Sequence, residues 1–280
     1  MLRLLFAILL LLHGLIHLMG FAKAFKYAEL NQLNLQVSRS AGLVWLLTAI
    51  LFGISTVLFF LKKDTWWMSA LPAILISQIL IFQAWQDAKF GTLANAIILL
   101  GIVLAWGGWQ FNRMVENEKA VFLQTRAEAP RPVLTREKMA GLPPIVQMWL
   151  ERSNALGKPI PRLIHLRQTG RMRTAPDANW MPFKADQIIR ADDPGFFWTT
   201  RVHVAPFFKL VGRDQYVDGK GFMLIKALSL ATVADARGPE TDQGALLRYL
   251  AEIIWHPGSA LASYIRWEAV EGDSLAAQAT

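Results

Sequence analysis

Two histidines, His13 and His17, lie four residues apart inside a long apolar run. On a helix that spacing puts both on one face. An ionisable side chain within an apolar span is a functional candidate by default. A haem or metal ligand pair is the sharpest chemistry they allow. Two ligands to one haem iron must approach from opposite faces, however, so a pair on one helix cannot supply both. The preferred reading is a neutral imidazole pair hydrogen-bonded to neighbouring helices, each such bond worth about 0.6–2 kcal/mol. Gln78, Gln83 and Asn95, in later apolar runs, are partners of the right type. No cofactor and no metal is assigned.

The remaining chemistry-bearing residues lie in the C-terminal half. His165, His203 and His256 lack the spacing of a metal-ligand set. Glu252 and His256 stand one helical turn apart. They can be read as base and orienter, and the preferred reading is a surface pair near a helix C-terminus, where the dipole favours histidine. Asp218-Gly219-Lys220-Gly221 has the form of a hairpin turn and not the spacing of a phosphate loop. No nucleophile elbow, Walker motif or His-Glu-x-x-His is present. One patch remains. Arg167, Arg171 and Arg173 fall on an alternating stretch, and Arg201 with His203 belongs to a second. A face of that kind suits anionic lipid headgroups or another acidic ligand.

The elements that must position these residues divide the chain. Apolar runs occupy 2–21, 41–61, 66–85 and 92–111, with Arg3 their single charge. Each is about 20 residues, which at ~1.5 Å per residue covers a ~30 Å hydrocarbon layer. Trp66, Trp67, Trp85, Trp106 and Trp109 sit at run ends, the depths an amphipathic indole prefers. The fold class expected is therefore a membrane all-α domain of four transmembrane helices over 1–111, a helical extension and linker over 112–134, and an α+β soluble domain over 135–280. Ala22-Lys23-Ala24 has the form of a signal cleavage site, but the apolar stretch before it exceeds the usual ~7–15-residue core, so the first span is expected to be retained.

The chain has no Cys, which excludes disulfides and thiolate chemistry. Its net charge of +8 is uneven: +4 over 1–111, +8 over 112–213 and −4 over 214–280. Nucleic acid is not expected as a partner, because no recognition signature accompanies the basic segment. With the N-terminus inside, the cytoplasmic side holds Arg3, Lys62, Lys63, Arg113, Lys119 and Arg126, against Lys23, Lys26, Arg39 and Lys89 outside. With four spans both termini share a side, and the count favours the cytoplasm for the soluble domain.

Between the spans, 23–40 reads as a polar connection with an interfacial segment carrying Leu30, Leu33 and Leu35. Lys62-Lys63-Asp64 and Gln86 to Gly91 read as turns. Residues 112–125 continue the last helix, and Arg126 to Leu134, with Pro130 and Pro132, form a linker. Thr135 is an N-cap, and Pro143-Pro144 opens an amphipathic run with Ile145, Met148, Trp149 and Leu156. From Leu163 the period changes from 3.6 to 2, giving strands over 163–174, 180–190, 196–205, 207–217 and 221–233. Asp192-Asp193-Pro194-Gly195 and the 218–221 turn separate some of them. A helix capped by Thr241 or Asp242 follows, with Leu246, Leu247, Leu250, Ile253 and Ile254 as its apolar stripe and Pro257-Gly258 as its stop. Short extended stretches over 264–270 and 275–280 flank Glu271-Gly272-Asp273. The result is a mostly antiparallel sheet with a helix across one face. The last strand looks unfinished, as in a shortened form of a longer domain.

Arg248-Tyr249-Leu250-Ala251-Glu252, Trp255-His256-Pro257, Gly219-Lys220-Gly221-Phe222-Met223, Phe196-Phe197-Trp198 and the His13-to-His17 segment resemble an uncharacterised bacterial family. Its members join N-terminal membrane helices to a β-rich C-terminal domain of unknown function. The likeness covers most of 140–270 and implies no activity. The strand–helix–strand order is also similar to periplasmic lipoprotein carriers, a fold-level likeness that implies an extracytoplasmic domain, against the charge count. The function expected is a non-enzymatic integral membrane protein whose soluble domain binds lipid, an acyl ligand in its sheet–helix crevice, or a protein partner at the membrane surface. The alternative is a membrane-tethered enzyme in which His165, His203, Glu240, Glu252 or His256 converge. The oligomeric state is left open.

Overall fold

The computed structural model describes residues 1–28, 36–124, 132–191, 193–271 and 276–279. The interfacial segment around Leu30, Leu33 and Leu35, the linker residues Arg126 and Pro130, Asp192, and the Gly272-Asp273 turn lie outside them. The chain forms two compact units, Met1–Arg113 and Met114–Thr280.

Helices α1 (Leu2–Ala24), α2 (Arg39–Phe60), α3 (Trp67–Gln83), α4 (Trp85–Ala88) and α5 (Gly91–Leu123) supply the first unit, α5 contributing its residues up to Arg113. Ser38 caps α2, its Oγ accepting the Ala41 N–H at 3.2 Å. The unit's core joins Leu10, Phe52, Trp66, Ile74 and Ile98. Six polar residues of its helices, His13, His17, Thr48, Ser55, Ser77 and Asn95, are buried, while Leu4, Leu15, Leu47, Ile50, Ile79 and Leu100 are exposed. Thr48 and Ser55 return their hydroxyl protons to the carbonyls of Val44 and Leu51 on their own helix. That distribution is costly in water, where exposed apolar area is unfavourable, and compatible with acyl chains as solvent.

Among the described residues three helices, α1, α2 and α5, are long and apolar enough to cross a membrane. This corrects the expectation of four. The apolar run over 66–85 has the composition of a span but not its helical length. Trp66 and Ala84 are only its caps, Trp85 opens the separate helix α4, and α3 keeps 17 residues around Pro72. At ~1.5 Å per residue that is about 26 Å, short of the ~30 Å layer. Only an even number of spans would put both termini on one side, and three such helices do not supply it.

The second unit is built on a six-stranded antiparallel meander, β1 (Leu163–Met172), β2 (Met181–Arg190), β3 (Gly195–Ala205), β4 (Phe208–Val217), β5 (Lys220–Ala227) and β6 (Ala231–Ala236), each strand beside its sequence neighbours. The expected strand over 221–233 is two strands. The chain turns at Leu228 and Ser229, both in the left-handed region at φ 53° and 64°. Such a turn normally advertises itself with Gly or Asn, and Lys226-Ala227-Leu228-Ser229-Leu230 has neither. The stretches near the C-terminus do not join this sheet: β7 (Trp267–Ala269) and β8 (Ala277–Ala279) pair with each other. They close a satellite core in which α6 (Arg136–Met139) and α7 (Pro144–Arg152) pack Met139, Val146 and Leu150 against Ala260. Thr135 does cap α6, accepting the Lys138 N–H at 3.5 Å.

Helix α8 (Pro239–Ala251) lies on one sheet face, over β4 and β5. Its contact residues are Ala245 and Tyr249, which join Ile189, Phe196 and Tyr216 in the core. Leu246, Leu247 and Ile254 of the expected stripe are exposed instead. The helix meets the sheet at Gly221, where a Cβ would stand 2.4 Å from the Thr241 carbonyl oxygen, and this close approach sets which face turns inward. The N-cap is Gly238. Asp242, expected as a cap, accepts from the Gly221 N–H at 2.8 Å and from Lys220 Nζ at 2.9 Å. Those two bonds hold its carboxyl below the usual carboxylate range, the Lys220 bond first.

Candidate functional site

Register decides which side chains share the sheet face opposite α8. Arg167 pairs with Asp186, Asp186 with Thr199, and Thr199 with Arg213; Thr169 pairs with Lys184, Lys184 with Arg201, Arg201 with Val211, and Val211 with Lys226. Side chains alternate along each strand. Arg167, Arg171, Lys184, Arg201, Lys209 and Lys226 therefore point to one side, with His165 and His203. Arg167, Arg171, Lys184 and Arg201 are exposed. Asp186 is the one carboxylate on β1 to β5 that shares this side; it accepts from His165 at 3.0 Å and lies 3.8 Å from Arg167. Arg173 is spent differently. It donates to the Pro176 carbonyl and lies over the Trp180 ring at 4.9 Å, closing the turn after β1.

The other end of the same face is covered by the last turns of α5. Glu118 forms a two-point pair with Arg213, at 2.7 and 3.1 Å, and one turn later Phe122 meets Phe197. Beside them opens a cleft of about 610 Å³ walled by Phe122, Arg190, Gln215, Val217, Lys220 and Phe222. Arg190 is 8% exposed, stacks over Phe122 at 4.6 Å and lies 3.5 Å from Asp193. Its Nε and Nη2 make no hydrogen bond. Acidic Glu118, Asp193 and Asp218 share the walls, so the cleft is of mixed charge while the β1–β3 end of the face is basic.

On the helix side, the crevice expected to hold a ligand is occupied by a polar network. Trp198 Nε1 donates to Gln168 at 2.8 Å, Gln168 to Gln187 at 2.9 Å, and Gln187 to Glu252. Arg248 donates to Glu252 at 2.9 Å and to Asp214, and stacks on Phe196 at 4.5 Å. Burial pushes the Asp214 carboxyl up, against the pull of the Arg248 and Arg213 guanidiniums. Each member has a partner, so the network specifies how helix and sheet dock. The i,i+4 spacing of Arg248 and Glu252 was visible beforehand. Gln187 could have been noticed as a polar residue between Ala185 and Ile189 on an inward-facing side.

The five residues of the enzyme reading do not meet. His165 and His203 belong to the basic face, Glu252 to the network on the opposite one, and Glu240 to the first turn of α8. His256 is not a surface partner of Glu252. The helix ends at Ala251, and the 3₁₀ turn Glu252–Trp255 carries His256 inward to 2% exposure. Its ring stands 5.1 Å from that of Tyr249, with neither nitrogen hydrogen-bonded. Burial holds this imidazole down at about 4, against the pull of Glu252. Among the described residues no group of three or more His, Asp or Glu is placed to hold a metal.

In the first unit, three of the predicted polar residues do come together. His13 Nε2 lies 2.9 Å from Asn95 Oδ1 and 3.2 Å from Ser77 Oγ. Asn95 Nδ2 donates to Gln78 at 3.0 Å, and Gln78 to Thr92 at 3.1 Å. Ser77 was not anticipated. Gln83 is exposed near the end of α3, outside the cluster. His17 stands apart: its Nδ1 donates to the His13 carbonyl at 2.8 Å, and its Nε2 has no partner.

No curated protein and no solved structure matches the chain. Apolar N-terminal helices followed by a β-rich C-terminal unit agree with the resemblance drawn from the residues. Residues 132–280, more than half of the chain, match the family of unknown function DUF6544, and the chain belongs to that family.

Proposed function

We propose that this is an integral membrane protein whose C-terminal unit binds anionic lipid headgroups on the exposed β1–β3 face. The observation that supports the reading is the strand register, which sets Arg167, Arg171, Lys184 and Arg201 side by side with Asp186 as the carboxylate among them. Each basic side chain held near an anionic leaflet contributes about 1 kcal/mol, and the attraction fades within a Debye length. Cations arranged in this way on a pleated surface recognise a charged layer and not one shaped molecule. The nearby cleft, with Phe122, Val217 and Phe222 in its walls, offers apolar surface to an acyl chain.

The test is native mass spectrometry of the full chain in detergent, supplied with equal phosphatidylglycerol and phosphatidylcholine. The expected result is preferential retention of phosphatidylglycerol, reduced at least tenfold when Arg167, Arg171 and Arg201 are together replaced by Gln, and reduced by salt. Equal retention by the triple variant would remove this face from the reading.

A further inference from the structure

A second site lies in the first unit. His13, His17, Trp45, Ile81, Phe90 and Gly91 wall a cavity of about 260 Å³. Ile16 and Phe90, on its rim, are 54% and 81% exposed. Both are apolar, so an acyl-chain solvent would wet that side of the mouth, while Asp87 also lines the cavity. A cavity of about 150 Å³ lined by apolar side chains takes a benzene ring, so this one has room for a substituted ring.

The hydrogen bonds state what the ring must carry. A carbonyl oxygen has no proton, so the 2.8 Å contact between His17 Nδ1 and the His13 carbonyl requires the proton on Nδ1. The neutral imidazole then has a lone pair on Nε2. That nitrogen is buried in a residue 2% exposed and has no donor. His13 is oriented alike. Asn95 spends its amide protons on Ser77 and Gln78, so its Oδ1 receives the proton of His13 Nε2, and the lone pair of His13 is on Nδ1. Both histidines on this wall are thus acceptors, and a ligand that satisfies either must donate. The walls are aromatic as well: Trp45 and Phe90 line the cavity, and the ring centroids of His17 and Trp45 lie 5.4 Å apart. Aromatic ligands pack edge to face against such walls.

We propose that this cavity binds an aromatic hydroxyl compound dissolved in the bilayer, a phenol or hydroquinone whose O–H donates to His17 Nε2 and whose ring stacks within the aromatic wall. The proposal is independent of the headgroup-binding reading, since it involves no residue of the second unit.

The experiment titrates the full chain in nanodiscs with 4-butylphenol and with its methyl ether, and repeats the pair with a short-prenyl hydroquinone and its dimethyl ether. A hydroxyl should bind saturably and at least tenfold more tightly than its ether, one hydrogen bond of about 1.4 kcal/mol. The class showing the larger contrast identifies the source. His17→Phe should bring hydroxyl binding down to the level of the ether, and Ile16→Trp, at an exposed rim position, should abolish both. No saturable binding of either hydroxyl, equal binding of hydroxyls and ethers, or unchanged binding by Ile16→Trp would overturn the proposal. Should His17→Phe fail to fold, the hydroxyl–ether contrast and the rim variant decide.

Discussion

The Tyr249 hydroxyl donates to the backbone carbonyl oxygen of Arg190 at 2.9 Å. It connects the two faces of the sheet, because Tyr249 is the buried anchor of α8 and the Arg190 side chain walls the cleft on the opposite side. Tyr264 adds a second bond to the next carbonyl, that of Ala191, at 2.8 Å. Tyr249→Phe removes the bond to Arg190 together with the 2.7 Å hydroxyl–hydroxyl bond to Tyr264. The expected cost is about 1–2 kcal/mol, read as a lower guanidinium midpoint with unchanged slope. A change below 0.3 kcal/mol would mean that the ring alone anchors the helix.

Glu118 neutralises Arg213, whose side chain is 5% exposed. Glu118→Gln leaves that guanidinium charged and buried without the carboxylate that pairs with it directly. Breaking such a pair from one side costs on the order of 3 kcal/mol. Hydrogen exchange of β3 and β4 amides should rise with the loss. Restoring stability with the double change Glu118→Gln and Arg213→Met would show that the unmatched charge, and not lost packing, caused it.

His256 makes stability depend on pH. The folded imidazole titrates near 4, and the unfolded one near 6.5. Between those values the unfolded chain holds a proton that the folded chain lacks, so stability falls as pH drops through that window and is fully present above it. The full effect is about 3 kcal/mol. Denaturation midpoints from pH 7 to 4 should show this slope, and His256→Phe should flatten it.

Gly221 is where α8 touches the hairpin between β4 and β5. Gly221→Ala drives a methyl into the Thr241 carbonyl, an overpacking expected to cost about 1–3 kcal/mol. Asp242→Ala attacks the same joint by removing the acceptor of the Gly221 N–H. In both variants the Gly221 amide should exchange faster than in the parent chain, while amides of α7 stay unchanged.

Local rules alone determined a good part of this protein. Hydropathy located every apolar helix, because a residue's preference for an apolar solvent is its own property. Alternation located β1 to β4, and the Ser/Thr cap and Pro signals located α6 and α7, because these depend on neighbours a few residues away. The charge pattern singled out Arg167, Arg171 and Arg201. Tertiary structure decided the rest. Whether the 66–85 run forms a full-length span depended on where the backbone leaves the helix, not on composition. The Leu228-Ser229 turn, made without Gly or Asn, exists because β5 and β6 pair across it. The inward face of α8 was set by the approach to Gly221, which overrode a leucine stripe. His256 and the Gln168–Gln187–Glu252 chain became buried through contacts between residues far apart in sequence, and such contacts leave no periodic trace.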